Sequence, residues 1–163
     1  MSRRILFVVA LTATLTGVAI QQTAGAEQDV IISGVAKDCT PTQAIHVAGV
    51  SVWAFDPVAN QAIAELLRSM DSIDVEADFN SALDSLNVAY WKLDTLLTTS
   101  SSLARDSTDL TGAFRMIVPP RDTALIVAHT VAEGEPFYYA YKLVSARSDT
   151  SIVIDMSHGQ CGF

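Results

Sequence analysis

Three histidines are the side chains in this sequence best suited to transfer protons near neutral pH. They are His46, His129 and His158, and no two of them lie close together along the chain. Catalysis requires a nucleophile or a second base within hydrogen-bond reach of such a histidine. The sequence contains no G-x-S-x-G, H-E-x-x-H, glycine-rich phosphate loop or paired C-x-x-C motif. We therefore predict no enzyme, and a small hydrolase is an alternative only if the fold gathers the histidines.

Two cysteines, Cys39 and Cys161, lie near opposite ends of the chain. In an oxidising compartment such a pair indicates one disulfide. Closing a loop on the order of 100 residues stabilises a fold by about 4 to 5 kcal/mol in the chain-entropy model. The alternative is a zinc site at His158 and Cys161, which lacks the further ligands that zinc requires. We predict the disulfide, and neither a bound metal nor a cofactor.

The segment DSTDLTG, residues 106–112, carries two carboxylates and invites comparison with a calcium loop. Such a loop places oxygen ligands at alternate positions and adds a distal bidentate carboxylate, a spacing that this segment does not supply. Asp109 can instead close a turn through its side chain, and Gly112 tolerates the positive φ of a tight turn. The segment therefore predicts a turn that leads into a strand.

Three aromatic residues, Trp91, Tyr138 and Tyr139, are candidates for ligand contact because an exposed ring can stack on a sugar or on a protein partner. Trp91 lies about 120° from the centre of an apolar helical stripe. It is therefore either an exposed contact residue or packed against a neighbouring helix, and packing is the commoner outcome. The two tyrosines lie on opposite faces of one strand, where core packing and cross-strand pairing are the usual roles.

The first 26 residues have the three parts of a secretory signal peptide. Arg3 and Arg4 precede an apolar run at residues 5–20, and Ala24-Gly25-Ala26 forms a small-x-small cleavage site. We predict cleavage after Ala26, which leaves residues 27–163 as one domain, secreted or periplasmic. No later segment is long enough to span a bilayer as a helix.

Net charge restricts the partners of this mature chain. It keeps 8 basic against 18 acidic residues, a net charge of −10. Such a surface repels nucleic-acid phosphates and anionic lipid. We therefore predict no nucleic-acid partner and no stable membrane insertion after signal cleavage, and a protein or a glycan remains.

Hydrophobic periodicity changes twice along the mature chain. Alternating or β-branched runs predict strands at residues 29–36, 46–55, 113–118, 123–131, 137–145 and 150–157. Between the second and third of these runs, apolar residues recur at helical spacing and predict an αα-hairpin at residues 60–99, within an insertion at 58–104. The strand at 46–55 is apolar on both faces, so we expect the hairpin to cover Trp53 and Phe55.

Several short motifs resemble the carboxypeptidase regulatory-like domain, a family with a transthyretin-like β-sandwich. The matching positions are Gly34 and Val35, then Val47, Gly49, Val50 and Val52, then Thr108, Asp109, Gly112 and Phe114. The resemblance spans residues 30–56 and 107–131, and the helical insertion departs from the family pattern. It implies an antiparallel Greek-key β-sandwich that serves as a binding, spacer or stabilising unit.

We predict, from these observations together, a mainly β, transthyretin-like sandwich with an inserted αα-hairpin. The function that we expect is a non-catalytic binding or interaction module of the cell envelope or extracellular space. The alternative from another class is a carbohydrate-binding module that uses exposed aromatic residues.

Overall fold

A computed structural model describes residues 28–40, 43–73, 78–130 and 138–156 of this chain. Within them the elements are β1 (Val30–Thr40), β2 (Gln43–His46), β3 (Ser51–Phe55), α1 (Gln61–Asp71), α2 (Phe79–Thr99), β4 (Ala104–Ser107), β5 (Ala113–Val118), β6 (Arg121–Thr130), β7 (Tyr138–Ala146) and β8 (Thr150–Asp155). The two helices lie between β3 and β4, where the change of period predicts them.

The strands form two four-stranded sheets, which we call the first and the second sheet. In the first sheet β1 is central: β8 pairs with one of its edges, and β5 and β2 pair with the other. The second sheet has the order β4-β3-β6-β7. The predicted β-sandwich with inserted helices is confirmed, with one addition. The β1–β8 pair is parallel. Parallel neighbours are joined by a crossover rather than a hairpin, and here the chain reaches β8 from β7 of the second sheet.

Two apolar cores lie on opposite faces of the second sheet. Along β6 every residue from Ala124 to His129 is buried. Alternate residues of β3 and β6 face the first sheet, and they form one core: Val52, Ala54, Ala124, Ile126 and Ala128. The intervening residues face the helices and form the other core, with α1 and α2 as its far wall: Trp53, Phe55, Leu125, Val127, Ile63, Leu67, Leu93 and Leu97. The helices therefore cover Trp53 and Phe55, as the apolar outer face of this strand predicts.

Two short strands and one break differ from the sequence-based expectation. The predicted strand at 46–55 is divided at Gly49, whose φ of 74° does not fit an extended strand, so β2 ends at His46. β1 continues to Thr40, beyond the predicted end of the strand at residue 36, because β2 pairs with this extension. β4 was not predicted, since its alternating exposed and half-buried residues lack an apolar face.

The turn between β4 and β5 is closed by Asp109, as its sequence predicts. One carboxylate oxygen of Asp109 accepts hydrogen bonds from the Thr111 hydroxyl at 2.6 Å and from the backbone N–H of Ala113 at 3.0 Å. The Thr111 hydroxyl and these backbone donors hold the pKa of Asp109 below its ordinary value. Beside it, Thr108 accepts from the Val50 N–H and donates to the Val47 carbonyl, so the turn is fastened to the segment before β3.

Gly112 and Gly49 form a matched pair for testing this turn, because both have a φ of 74°. A Cβ at Gly112 would lie 2.8 Å from the Ala36 carbonyl oxygen, whereas a Cβ at Gly49 would meet nothing within 4 Å. We expect Gly49→Ala to lower the free energy of unfolding by about 1–2 kcal/mol, through positive φ alone. Gly112→Ala should cost clearly more, as measured by urea denaturation. Equal losses in the two variants would refute the steric contribution.

The predicted disulfide and signal peptide fall outside the described residues, which exclude Ala26, Cys161 and the Cys39 side chain. The pairing stays a prediction, and the strand register supports it. β8 runs parallel to β1, and the Met156 N–H donates to the Lys37 carbonyl at 2.8 Å. The five residues from Met156 to Cys161 can span at most about 17 Å, so Cys39, two residues beyond Lys37, is within reach.

We expect the secreted protein to migrate faster on a denaturing gel without reductant than with it. The reason is that a Cys39–Cys161 bond keeps the denatured chain compact. Cys39→Ser and Cys161→Ser should each abolish the shift and expose one free thiol to alkylation. Two reactive thiols in the wild-type protein from an oxidising compartment would show that the prediction is wrong.

Candidate functional site

The histidines that the structure describes do not share a common site. His46 is exposed at the end of β2 in the first sheet, and His129 is buried on β6 in the second sheet. His158 lies outside the described residues. The two described histidines thus belong to different sheets, and the fold does not bring them together as the hydrolase alternative requires.

His129 lies beneath α2, on the helix-facing side of the second sheet. Its ring is 2% exposed and packs 6.4 Å, centroid to centroid, from the ring of Trp53. Arg105 of β4 places its guanidinium carbon 4.9 Å from the centroid of the same Trp53 ring. Burial lowers the pKa of His129, and the nearby Asp94 carboxylate partly offsets this effect. A neutral imidazole against an aromatic ring is a core component rather than a proton-transfer group.

We expect the stability of the protein to fall as the medium becomes acidic, with His129 responsible for part of the change. Because its pKa is lower in the folded than in the unfolded state, its contribution is fully present above the unfolded value of about 6.5. That contribution is lost as the pH falls through the folded value. Urea denaturation across this range should give a smaller pH slope for His129→Gln. His46→Gln leaves His129 in place and should keep the wild-type slope; an unchanged slope in His129→Gln would contradict the assignment.

Tyr139 is part of the helix-facing core. Its side chain is 3% exposed and makes an edge-on contact with Tyr90 of α2, at 5.7 Å between ring centroids. This burial leaves little ring surface for a ligand, so the structure does not favour the ligand-contact role predicted for Tyr139. The side chain of Tyr138 lies outside the described part.

Asp71, the last residue of α1, joins that helix to β7. Its carboxylate accepts hydrogen bonds from the Tyr139 hydroxyl at 3.0 Å and from the Tyr141 hydroxyl at 2.5 Å. Burial, and then the bonded Asp71 carboxylate, raises the pKa of Tyr139 far above its ordinary value and the pKa of Tyr141 to about 12. A carboxylate at a helix C-terminus opposes the helix dipole, and these two donors compensate for it. The cluster therefore positions α1 on the sheet.

Trp91 is exposed, although packing against the neighbouring helix was the expected role. Its side chain is 65% exposed and that of Val88, one turn before it, is 71% exposed. Asp84, Asn87 and Thr95 lie at helical spacing from these two and are exposed as well. We call these five residues the outer face of α2. α1 contributes Ile63, Leu66, Leu67 and Met70 to the core between helices and sheet.

The first turns of α2 add further exposed apolar surface. Phe79 and Leu83 lie at the helical spacing of the other apolar residues of α2, yet they are 62% and 45% exposed. The buried residues of the helix include Leu93 and Leu97, near its C-terminal end. Sequence reasoning found Trp91 but missed Val88, whose position one turn from Trp91 and opposite the stripe was the available signal.

One oxygen of each carboxylate in the DSTDLTG segment is bonded within the fold. Asp106 accepts a hydrogen bond from the Arg115 N–H at 2.7 Å, and Asp109 is bonded to the donors of its own turn. Across the described ranges, no group of three or more His, Cys, Asp or Glu side chains could hold a metal ion. Over the same ranges, neither helix has the length and hydropathy of a membrane span.

Comparison with known proteins identifies no family for this chain. No family model matches it, and no curated protein matches it. Membership of the carboxypeptidase regulatory-like family therefore stays a prediction. Among solved structures, the shaft pilin SpaA of Lactobacillus rhamnosus GG is similar at 10% identity and a TM-score of 0.40, over 80% of this chain and 50% of that one. A double mutant of the same pilin gives 12% identity and a TM-score of 0.33, over 80% and 49%. This chain thus spans about half the length of those structures.

Proposed function

We propose that this protein is a non-catalytic binding module of the periplasm or extracellular space, and that the outer face of α2 is its contact surface. The observation that carries the proposal is the exposure of Val88 and Trp91 side by side on one helix. Contiguous apolar surface on a soluble protein is typical of an interaction site. Tryptophan is also among the residues that contribute most to binding energy at protein interfaces.

The rest of α2 supports this assignment because it makes the surface rigid. Leu93 is fully buried and Leu97 nearly so, which anchors the C-terminal half of the helix on the second sheet. Asp78 caps the other end by accepting a hydrogen bond from the Ser81 N–H at 3.2 Å. A contact surface on a packed helix loses less conformational entropy on binding than one on a loop.

The residues around Trp91 match the usual composition of an interface. Two apolar side chains form its centre, while Asp84, Asn87 and Thr95 supply a polar rim. This arrangement favours a protein partner. A protein can bury both Trp91 and Val88, whereas a sugar stacked on the Trp91 ring would gain little binding energy from Val88. The signal-peptide features of residues 1–26 support an extracytoplasmic location for the encounter.

A glycan is the second candidate, supported by the polar neighbours of Trp91. Asn87 and Asp84 precede it by one and two helical turns on the same side. An aromatic ring flanked by an amide and a carboxylate can stack on a sugar ring and bond its hydroxyl groups.

We expect Trp91→Ser to abolish partner binding without unfolding the protein. The mature wild-type protein and the variant are immobilised and exposed to the extracellular and envelope fractions of the source organism, and the retained proteins are quantified. Loss of an interface tryptophan costs about 2 kcal/mol or more, so retention of the partner should fall by about thirtyfold. Arg147→Ser, which changes an exposed residue between β7 and β8, should retain the partner.

Thermal denaturation verifies that both variants stay folded, since exposed substitutions change stability by about 0.5 kcal/mol or less. A set of retained proteins that is identical for Trp91→Ser and the wild type would remove the outer face of α2 as the contact surface. Quenching of tryptophan fluorescence by a polysaccharide, absent in Trp91→Ser, would instead assign the same surface to a glycan.

A further inference from the structure

A second candidate site lies in a shallow groove on the first sheet, on the side of the sandwich away from the helices. The groove has a volume of about 610 Å³. Its floor is the outward face of β8, β1 and β5, and residues 106–109 at the end of β4 form one wall. This volume is within the range of small-molecule sites, about 300–1,000 Å³.

One polar row crosses the floor of the groove. The register pairs Ser33 of β1 with Ser151 of β8 on one side and with Arg115 of β5 on the other. Neighbouring strands lie about 4.8 Å apart, so two hydroxyl groups and a guanidinium follow one another over about 10 Å. Within the part of the chain that the structure describes, the Arg115 guanidinium forms no ion pair. An exposed guanidinium beside two hydroxyl groups is suited to bind a carboxylate.

The surroundings of this row specify the rest of the ligand. The adjacent row consists of Val153, Val35 and Ala113, which give a small apolar surface next to the guanidinium. Asp106 and Asp109 line the wall at the β5 end of the two rows, where Asp106 accepts the Arg115 N–H and Asp109 accepts the Ala113 N–H. The other oxygen of each carboxylate can accept hydrogen bonds from further N–H groups. A guanidinium, an apolar patch and carboxylate acceptors thus lie next to one another in the groove.

We propose that this groove binds the C-terminal end of a short peptide with an aliphatic last residue. Arg115, with the Ser33 and Ser151 hydroxyls, holds the terminal carboxylate. The aliphatic side chain packs on Val35 and Val153, while Asp106 and Asp109 bind the amide or ammonium N–H groups. A sugar acid shares the carboxylate but has hydroxyl groups where the apolar row lies, so the peptide is the better match.

The probes are the dipeptide Ala-Val, its C-terminal amide, and glucuronate, each titrated to millimolar concentration into the isotope-labelled mature protein. Chemical-shift changes in backbone amides report binding. We expect saturable shifts for Ala-Val centred on Val35, Arg115 and Val153, and at least tenfold weaker binding of the amide and of glucuronate. Arg115→Gln should weaken Ala-Val binding by at least tenfold. Arg147→Gln, which removes an exposed arginine paired with Asp122, should bind as the wild type does.

Three outcomes would overturn this proposal. They are equal binding of Ala-Val and its amide, unchanged binding by Arg115→Gln, and no shift with Ala-Val at millimolar concentration. Binding of glucuronate as tight as that of Ala-Val would move the site to sugar acids. Since Trp91 lies on a helix over the other sheet, failure here leaves the proposed contact surface of α2 intact.

Discussion

The burial of both faces of the second sheet is the constraint on which the rest of this structure depends. β3 and β6 carry apolar side chains in both directions, so a two-layer sandwich would leave Trp53, Phe55 and Leu125 in water. A large exposed patch of this kind promotes association, and each such side chain gains about 1.5–3 kcal/mol from burial. The chain meets this requirement by inserting two helices directly after β3. The architecture therefore has three layers.

After the two helices, the chain must pair again with the second sheet, and it does so through β4. Leu103 donates its N–H to the Ala54 carbonyl at 2.7 Å, which starts the pairing of β4 along β3. The turn that follows is held at both ends: Thr108 bonds the segment before β3, and the Gly112 carbonyl accepts the Ala36 N–H of β1 at 2.8 Å. One turn thus joins both sheets. One oxygen of Asp109 is bonded within this turn and one oxygen of Asp106 accepts the Arg115 N–H, so a segment that resembles a cation loop in composition contributes to the fold.

Much of this architecture could be predicted from the sequence because its signals are local. β5 was predicted at its observed bounds, since alternation between a glycine turn and two prolines is unambiguous. The change from a period of two to a helical period located the insertion, and apolar residues on both faces of β3 predicted its cover. β2 and β4 were missed because each is a four-residue strand without a clear alternating apolar pattern. β4 also pairs with β3 across the helical insertion, a tertiary effect that local pattern does not contain.

The candidate sites were less predictable from the sequence, since the exposure of a side chain depends on which helices and strands pack over it. Trp91 of α2 and Tyr139 of β7 are both aromatic, yet Trp91 is exposed and Tyr139 is buried. For Trp91 the sequence shows a position about 120° from the apolar stripe, which left both exposure and packing open. The burial of Tyr139 depends on Tyr90 of α2 packing against it, a contact that the sequence does not show. The polar row of the first sheet depends on the parallel β1–β8 register, which is likewise invisible in the sequence.

α2 is longer than its role in covering the sheet requires. Its 21 residues extend about 31 Å, while Leu93 and Leu97 in its C-terminal part are the large side chains that it buries. α1, with 11 residues, buries four apolar side chains over the same core. Packing on the core therefore accounts for one part of α2, while Phe79, Leu83, Val88 and Trp91 are exposed. Exposed apolar residues on a rigid helix cost solubility, and contact with a partner is the role that would offset this cost.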